Sequence, residues 1–237
     1  MPYKGFELPP LTRGILIQRY KRFLADIELE TGEKVTAHCP NSGSMKGCAI
    51  PGSQVWLSQS DNPKRKYKYT WELIKVPQTL IGINTMVPNK LVKQSIENGL
   101  IKELSGYDRV KAEVKTSSHT RLDLLLENED KEKCYVEIKN CTLVEDGIAM
   151  FPDAVTTRGQ KHLDELVGLV SSGHRGVIFF LIQRMDAKAF KPAEMIDKVY
   201  AQKLRRAVQK NVEIIAMDTV INMQEIRIRN AVPVDLH

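Results

Sequence analysis

Arg121-Leu122-Asp123-Leu124-Leu125-Leu126-Glu127, followed across the polar linker 128–133 by Cys134-Tyr135-Val136-Glu137-Ile138-Lys139, decides the reading of this chain. Successive side chains on a strand point to opposite faces. The leucines at 122, 124 and 126 therefore define one face of the first stretch, with Asp123 on the other. In the second stretch Glu137 and Lys139 share a face and Ile138 opposes them. The linker makes the two stretches a natural hairpin. If pairing is centred on Asp130, Asp123 and Glu137 face each other, with Cβ atoms about 4.5–5.5 Å apart. Two carboxylates at that separation can share a hard divalent cation such as Mg²⁺. Lys139, one side chain further along, offers a positive charge to a pentavalent phosphorane. A metal that polarises a phosphoryl oxygen and activates water, beside a cation for the developing charge, is what phosphodiester hydrolysis needs.

The tripeptide Glu-x-Lys is a weak signal by itself, since it occurs at 113–115, 129–131 and 137–139. An isolated copy is ordinarily a surface ion pair on a strand. The third copy stands apart because it lies on an apolar strand and has an aspartate on the preceding one.

Outward from this hairpin, apolar spacing predicts a helix over 90–105 and a strand over 110–115 before it. After it come a long loop, a helix over 157–171, a strand over 176–183 that is apolar on both faces, a helix over 192–209, and strands over 212–217 and 225–229. The order α-β-β-β-α-β-α-β argues for an α/β domain whose mixed sheet is covered by helices. Residues 11–84 read differently. Short β-rich runs over 13–20, 22–29, 34–39, 52–60, 68–76 and 80–84, joined by Gly, Pro, Asn and Ser turns, suggest a small barrel of the OB type. The chain thus divides into an OB-like unit over 1–84 and an α/β unit over 85–237. Within the first unit, the stretch 39–47 (CPNSGSMKG) offers a backbone amide nest for a phosphate, although such stretches are more often plain turns.

The 237 residues carry 35 Lys+Arg and 29 Asp+Glu, a formal charge of +6. Residues 1–82 hold 12 of the cations and 7 of the acids, so nearly all the excess lies in the first third. It gathers at Arg19, Lys21 and Arg22, and in the run Lys64-Arg65-Lys66-Tyr67-Lys68, which leads into Tyr69 and Trp71. Cations neutralise phosphates and aromatic faces stack on bases; the plainer alternative is a solvated basic turn with Trp71 in a core. The cations of 192–210 are a secondary candidate surface. No apolar run approaches the ~18 residues of a membrane span. The N-terminal stretch lacks a signal-peptide pattern, so the expectation is a cytoplasmic protein without a membrane partner. Its four cysteines, none in C-x-x-C spacing, are expected to be reduced structural thiols.

The Asp123…Glu137-Ile138-Lys139 arrangement resembles the PD-(D/E)xK nuclease superfamily. The segments 16–26 (LIQRYKRFLAD), 38–43 (HCPNSG), 60–67 (SDNPKRKY) and 151–163 (FPDAVTTRGQKHL) resemble the bacterial sugar fermentation stimulation protein A family, over essentially the whole chain. The resemblance implies an OB-like N-terminal barrel and a nuclease-like α/β (α+β) C-terminal domain with a mixed sheet flanked by helices. It also implies binding of double- or single-stranded DNA with little sequence preference, and a regulatory role in maltose metabolism. It makes Asp123 and Glu137 ligands of a Mg or Mn ion and Lys139 the catalytic cation. An acidic residue of the preceding helix, Glu97 or Glu103, is expected to complete the set, and Gln160 and Lys161 are candidate phosphate contacts. Leu122 stands where the superfamily often has proline. His162 reads as structural. A non-catalytic DNA-binding regulator on a nuclease scaffold, or a protein-binding adaptor, are the competing readings.

Overall fold

The computed structural model describes residues 5–117 and 120–237. A two-residue strand β1 (Phe6–Glu7) precedes β2 (Leu11–Tyr20), β3 (Leu24–Leu29), β4 (Lys34–His38), β5 (Gln54–Gln59), β6 (Tyr69–Lys75) and β7 (Leu80–Gly82). Strands β2 to β7 hydrogen-bond in the order β4-β3-β2-β5-β6-β7. The sheet closes where Ala37 and His38 of β4 pair in parallel with Tyr69 and Thr70 of β6, giving a five-stranded OB barrel. Its interior follows from the alternation: Ala25, Ile27 and Leu29 point inward from β3 and meet Leu16, Val55, Leu57, Trp71 and Ile74. Trp71 is fully buried, and its indole N–H donates to the Leu73 carbonyl at 3.0 Å. Of the aromatic run beside the cations, this ring is therefore core.

The rest of the chain forms α1 (Val87–Glu97), β8 (Arg109–Lys115), β9 (Arg121–Glu127), β10 (Cys134–Cys141), β11 (Leu143–Glu145), β12 (Ile148–Phe151), α2 (Thr157–Ser171), β13 (Arg175–Ile182), β14 (Ala189–Pro192), α3 (Lys198–Gln209), β15 (Glu213–Ile221) and β16 (Glu225–Ala231). A seven-stranded sheet runs β1-β16-β15-β13-β10-β9-β8, with β10, β13 and β15 parallel at its centre and antiparallel strands outside. One face packs on α1 through Leu91 and Val92. The other packs on α2 and α3 through Leu163, Leu166, Tyr200 and Leu204. Helices on both faces explain why β13 reads as a continuous apolar run, GVIFFLI.

Several boundaries differ from the sequence expectation. Phe6 and Glu7 pair with Ile226 and Glu225, so the N-terminal strand crosses out of the barrel segment into the large sheet. Helix α1 begins at Val87, with Pro88 in its first turn, and ends before Gly99 at φ 68°; Lys102–Leu104 is a separate 3-10 turn. Helix α3 begins only at Lys198, because the buried Asp197 side chain accepts the Tyr200 amide (2.9 Å) as its N-cap. The expected loop after β10 contains β11 and β12, which form a three-stranded sheet with β14. All four cysteines are free and buried. Among the described residues no helix is long and apolar enough to cross a membrane.

Candidate metal centre and candidate nucleic-acid surface

The β9–β10 register is the one centred on Asp130: Leu126 pairs with Cys134, Leu125 with Tyr135 and Leu124 with Val136. There the ladder ends, and the Asp123 carboxylate accepts the Ile138 amide at 2.7 Å. The strand also changes face at this point. Leu124 and Leu126 pack under α1, while Leu122 joins the α2–α3 core, so the three leucines do not share one face as the alternation predicts. Across from it on β8, Glu113 adopts φ 56° and interrupts the β8–β9 pairing between Ala112 and Val114. This irregularity sets Asp123 between strands and beside α1, where the Asn89 amide donates to its Oδ1 at 2.8 Å.

Glu137, 3% exposed, sits on the α2 side of β10. Its Oε1 accepts from Lys139 Nζ (2.6 Å) and from His162 Nδ1 of α2. Its Oε2 is buried and has no hydrogen-bond partner. Burial pushes the Glu137 carboxyl up, but Lys139 and His162 outweigh it and hold the group below the ordinary glutamate range. Asp123 goes the other way: burial first, and then the charge of Glu137, push it up to about 6 against the opposing Ile138 amide, Lys139 and Asn89. A buried carboxylate oxygen without a donor is costly unless something positive meets it. Beside the half-buried Asp123 carboxylate, it fits a divalent cation with oxygen ligands. Asp123 and Glu137 would hold it. Among the described residues no group of three or more His, Cys, Asp and Glu is arranged around a metal position, so these two carboxylates would be the acidic contribution to such a site.

The expected helix acid is not there. Glu97 pairs with Lys93 on the exposed side of α1, and Glu103 lies in the 3-10 turn, where its carbonyl accepts from Arg175. The position beside Asp123 belongs to Asn89, in the first turn of α1, a neutral residue where an acid was expected. Gln160 is also spoken for: its amide donates to both Asp197 oxygens at 3.1 Å and ties α2 to the cap of α3. Lys161 is exposed beside Asp164 and Glu165 in a surface groove, away from Glu137. His162, read from sequence as structural, touches the centre directly.

The basic residues of the barrel divide into two kinds. Arg19 is a clamp, its guanidinium donating to the carbonyls of Arg22, Asn41, Gly43 and Ser44. Its two terminal nitrogens are committed to backbone and its Nε is buried, which removes it from the candidate DNA contacts. Lys21, Arg22, Lys64, Lys66 and Lys68 are exposed, in the β2–β3 turn and the β5–β6 loop. The β4–β6 pairing at His38–Thr70 and the β3–β4 pairing at Leu24–His38 bring these two loops to one end of the barrel. Arg65 donates to Thr70 Oγ1 (3.1 Å), and Lys66 Nζ stands 5.4 Å from the centre of the Tyr67 ring. The amide nest at 39–47 is filled by protein: Met45 N donates to Asp153 Oδ2 (2.9 Å) and Gly43 N to Asn41 Oδ1 (2.9 Å). An anion does occupy it, but that anion is the Asp153 carboxylate of the second domain, so the nest is a domain joint.

An OB barrel joined to a mixed-sheet α/β domain, with a buried glutamate beside a half-buried aspartate, is the class of protein these features define. Residues 17–83 match the model for the SfsA N-terminal OB domain, and residues 86–225 that for the sugar fermentation stimulation protein RE domain. The chain belongs to the sugar fermentation stimulation protein family. It is 59% identical over 211 residues to the sugar fermentation stimulation protein homolog of Geotalea uraniireducens, covering 89% of this chain and 91% of that one. The Geobacter sulfurreducens homolog is 56% identical over 225 residues, covering 95% and 96%. The solved structure of Pyrococcus furiosus SfsA in complex with Ca²⁺ superimposes with a TM-score of 0.90 at 29% identity, covering 98% of this chain and 99% of that one.

Proposed function

We propose that this chain binds DNA with little sequence preference and hydrolyses phosphodiester bonds at Asp123, Glu137 and Lys139 with Mg²⁺ or Mn²⁺. It would act in the cytoplasm as a regulatory factor in sugar metabolism. The regulatory part rests on the family's name, and maltose as the sugar on the family resemblance. The chemical part is carried by one observation: Glu137 Oε2, buried and without a donor, near the half-buried Asp123 carboxylate. The Pyrococcus furiosus relative was solved in complex with Ca²⁺, which supports binding of a hard divalent cation in this family. When bound, the cation supplies a polarised phosphoryl oxygen and a water of lowered pKa. Lys139, fixed by Glu137 at 2.6 Å and 11% exposed, places a positive charge where charge builds on the phosphoryl oxygens. The lysines and Arg22 at the end of the barrel neutralise backbone phosphates.

Incubating plasmid and single-stranded DNA with the protein and Mn²⁺ tests this reading. Cleavage that disappears in Asp123→Ala and Glu137→Gln is the expected result; cleavage indifferent to both replacements overturns it. A second reading, a DNA-binding regulator without catalysis, is favoured by the absence of a third acidic or His ligand among the described residues. It predicts salt-sensitive DNA binding with no product at any metal concentration.

A further inference from the structure

Arg158 and His162 lie four residues apart on α2, and so on one helix face. That face meets β10. Arg158 Nε donates to His162 Nε2 at 3.3 Å. A guanidinium has only donors and keeps its protons in proteins, so Nε2 is the accepting nitrogen of the ring. The hydrogen-bonding pattern therefore places the ring proton on Nδ1, with that N–H aimed at Glu137 Oε1. Lys139 Nζ, 3.3 Å from Nδ1 and 2.6 Å from Oε1, is a second donor converging on the same oxygen. Oε1 is thus engaged twice, and Oε2 stays buried and bare.

We infer that Arg158 and His162 form a positioning relay that presents a single oxygen of Glu137 to a divalent cation: Arg158 sets the tautomer of His162, and His162 with Lys139 pins the carboxylate through Oε1. The inference rests on the reading of Asp123 and Glu137 as cation ligands. Its physical content is preorganisation. A carboxylate held in one orientation before the cation arrives has less to lose on binding, and partners that orient ligands in this way carry roughly 10–100-fold in metal affinity. His162 and Arg158 are positioning residues, acting through Glu137.

Two measurements on the full chain test the relay, neither of them an activity. Histidine-selective ¹⁵N labelling, with the His162 signals assigned by their loss in His162→Asn, is expected to show His162 protonated on Nδ1 alone, and a mixture of tautomers in Arg158→Ala. Calorimetric titration with Mn²⁺ is expected to show His162→Ala weakened roughly 10–100-fold. His162→Asn keeps an N–H donor near the place of Nδ1 and should recover most of that loss, which separates positioning from a fold defect. A wild-type His162 protonated on Nε2, or a His162→Ala chain that binds Mn²⁺ as tightly as wild type, overturns the relay. A wild-type chain with the Nδ1–H tautomer that binds no Mn²⁺ overturns instead the cation reading beneath it.

Discussion

Asp123 and Glu137 are chemically similar groups on neighbouring strands whose surroundings drive their pKa values apart. Glu137 has two donors on one oxygen and is held ionised; Asp123 has a backbone amide and Asn89, which do not offset burial and the neighbouring charge. In the unfolded chain Asp123 ionises near 3.8, and in the fold at about 6. Between those values the native state holds a proton that the unfolded state has released, so stability from this group is full below pH 3.8 and is lost as pH rises through 6. The total is on the order of 3 kcal/mol at most, by the ~1.4 kcal/mol per pKa unit of linkage. Chelator-treated wild type and Asp123→Asn, unfolded by urea from pH 4 to 7.5, isolate it from other titrations: the variant should gain on wild type as pH rises towards 6 and keep that gain above it. A difference that stays flat across that range refutes the assignment. The approach of the two acids was legible in the sequence because the short linker sets the β9–β10 register, whereas the change of face at Asp123 breaks the alternation and was not legible. Asn89 and His162 were not, since each reaches the centre from a helix distant in sequence and neither belongs to a spacing pattern.

At the scale of elements, the termini of α2 and α3 are joined by one side chain. Asp197 accepts the Tyr200 amide as the cap of its own helix, the Thr156 amide at the start of α2, and the Gln160 side chain. Burial pushes its carboxyl up, but these donors outweigh that and hold it below the ordinary aspartate range. Asp197→Ala removes the acceptor and leaves the buried Tyr200 amide and its neighbours unsatisfied. We expect a loss of about 2–3 kcal/mol in urea unfolding; a change below about 0.5 kcal/mol would show that water replaces the carboxylate without penalty. Because α2 carries His162, Asp197→Ala should also weaken Mn²⁺ binding. The same residue explains why the start of α3 is misplaced by periodicity. Apolar spacing runs smoothly from Pro192 into α3, and only the cap says where the helix starts. Strands β11, β12 and β14 escaped for another reason. They have three or four residues each, and β12 finds β14 as a parallel partner only after α2 and β13 have intervened, so no local pattern marks them.

For the whole molecule, charge and acidity are divided between the two parts, and the joint between them is built from polar contacts. The formal +6 lies mostly on the barrel segment, while the carboxylate pair lies in the near-neutral remainder. Arg19 gathers the carbonyls of the 39–47 loop, and Ser44 and Met45 of that loop grip Asp153, so a cation that the sequence offers as a DNA contact instead helps to hold the barrel to the domain that carries Asp123 and Glu137. The two kinds of cation should separate by experiment. Neutralising Lys21, Lys64, Lys66 and Lys68 together should leave the melting temperature within a few degrees of wild type. It should weaken DNA binding and flatten the dependence of log K on log salt by about 0.9 for each phosphate no longer neutralised. Arg19→Ala should do the reverse, lowering thermal stability by leaving several loop carbonyls without their donor while changing the salt slope little. Filter binding from low to moderate salt, with a melting curve on each variant, distinguishes them. If the lysine variant keeps the wild-type slope, DNA does not lie on this end of the barrel, and the charge there serves solubility alone.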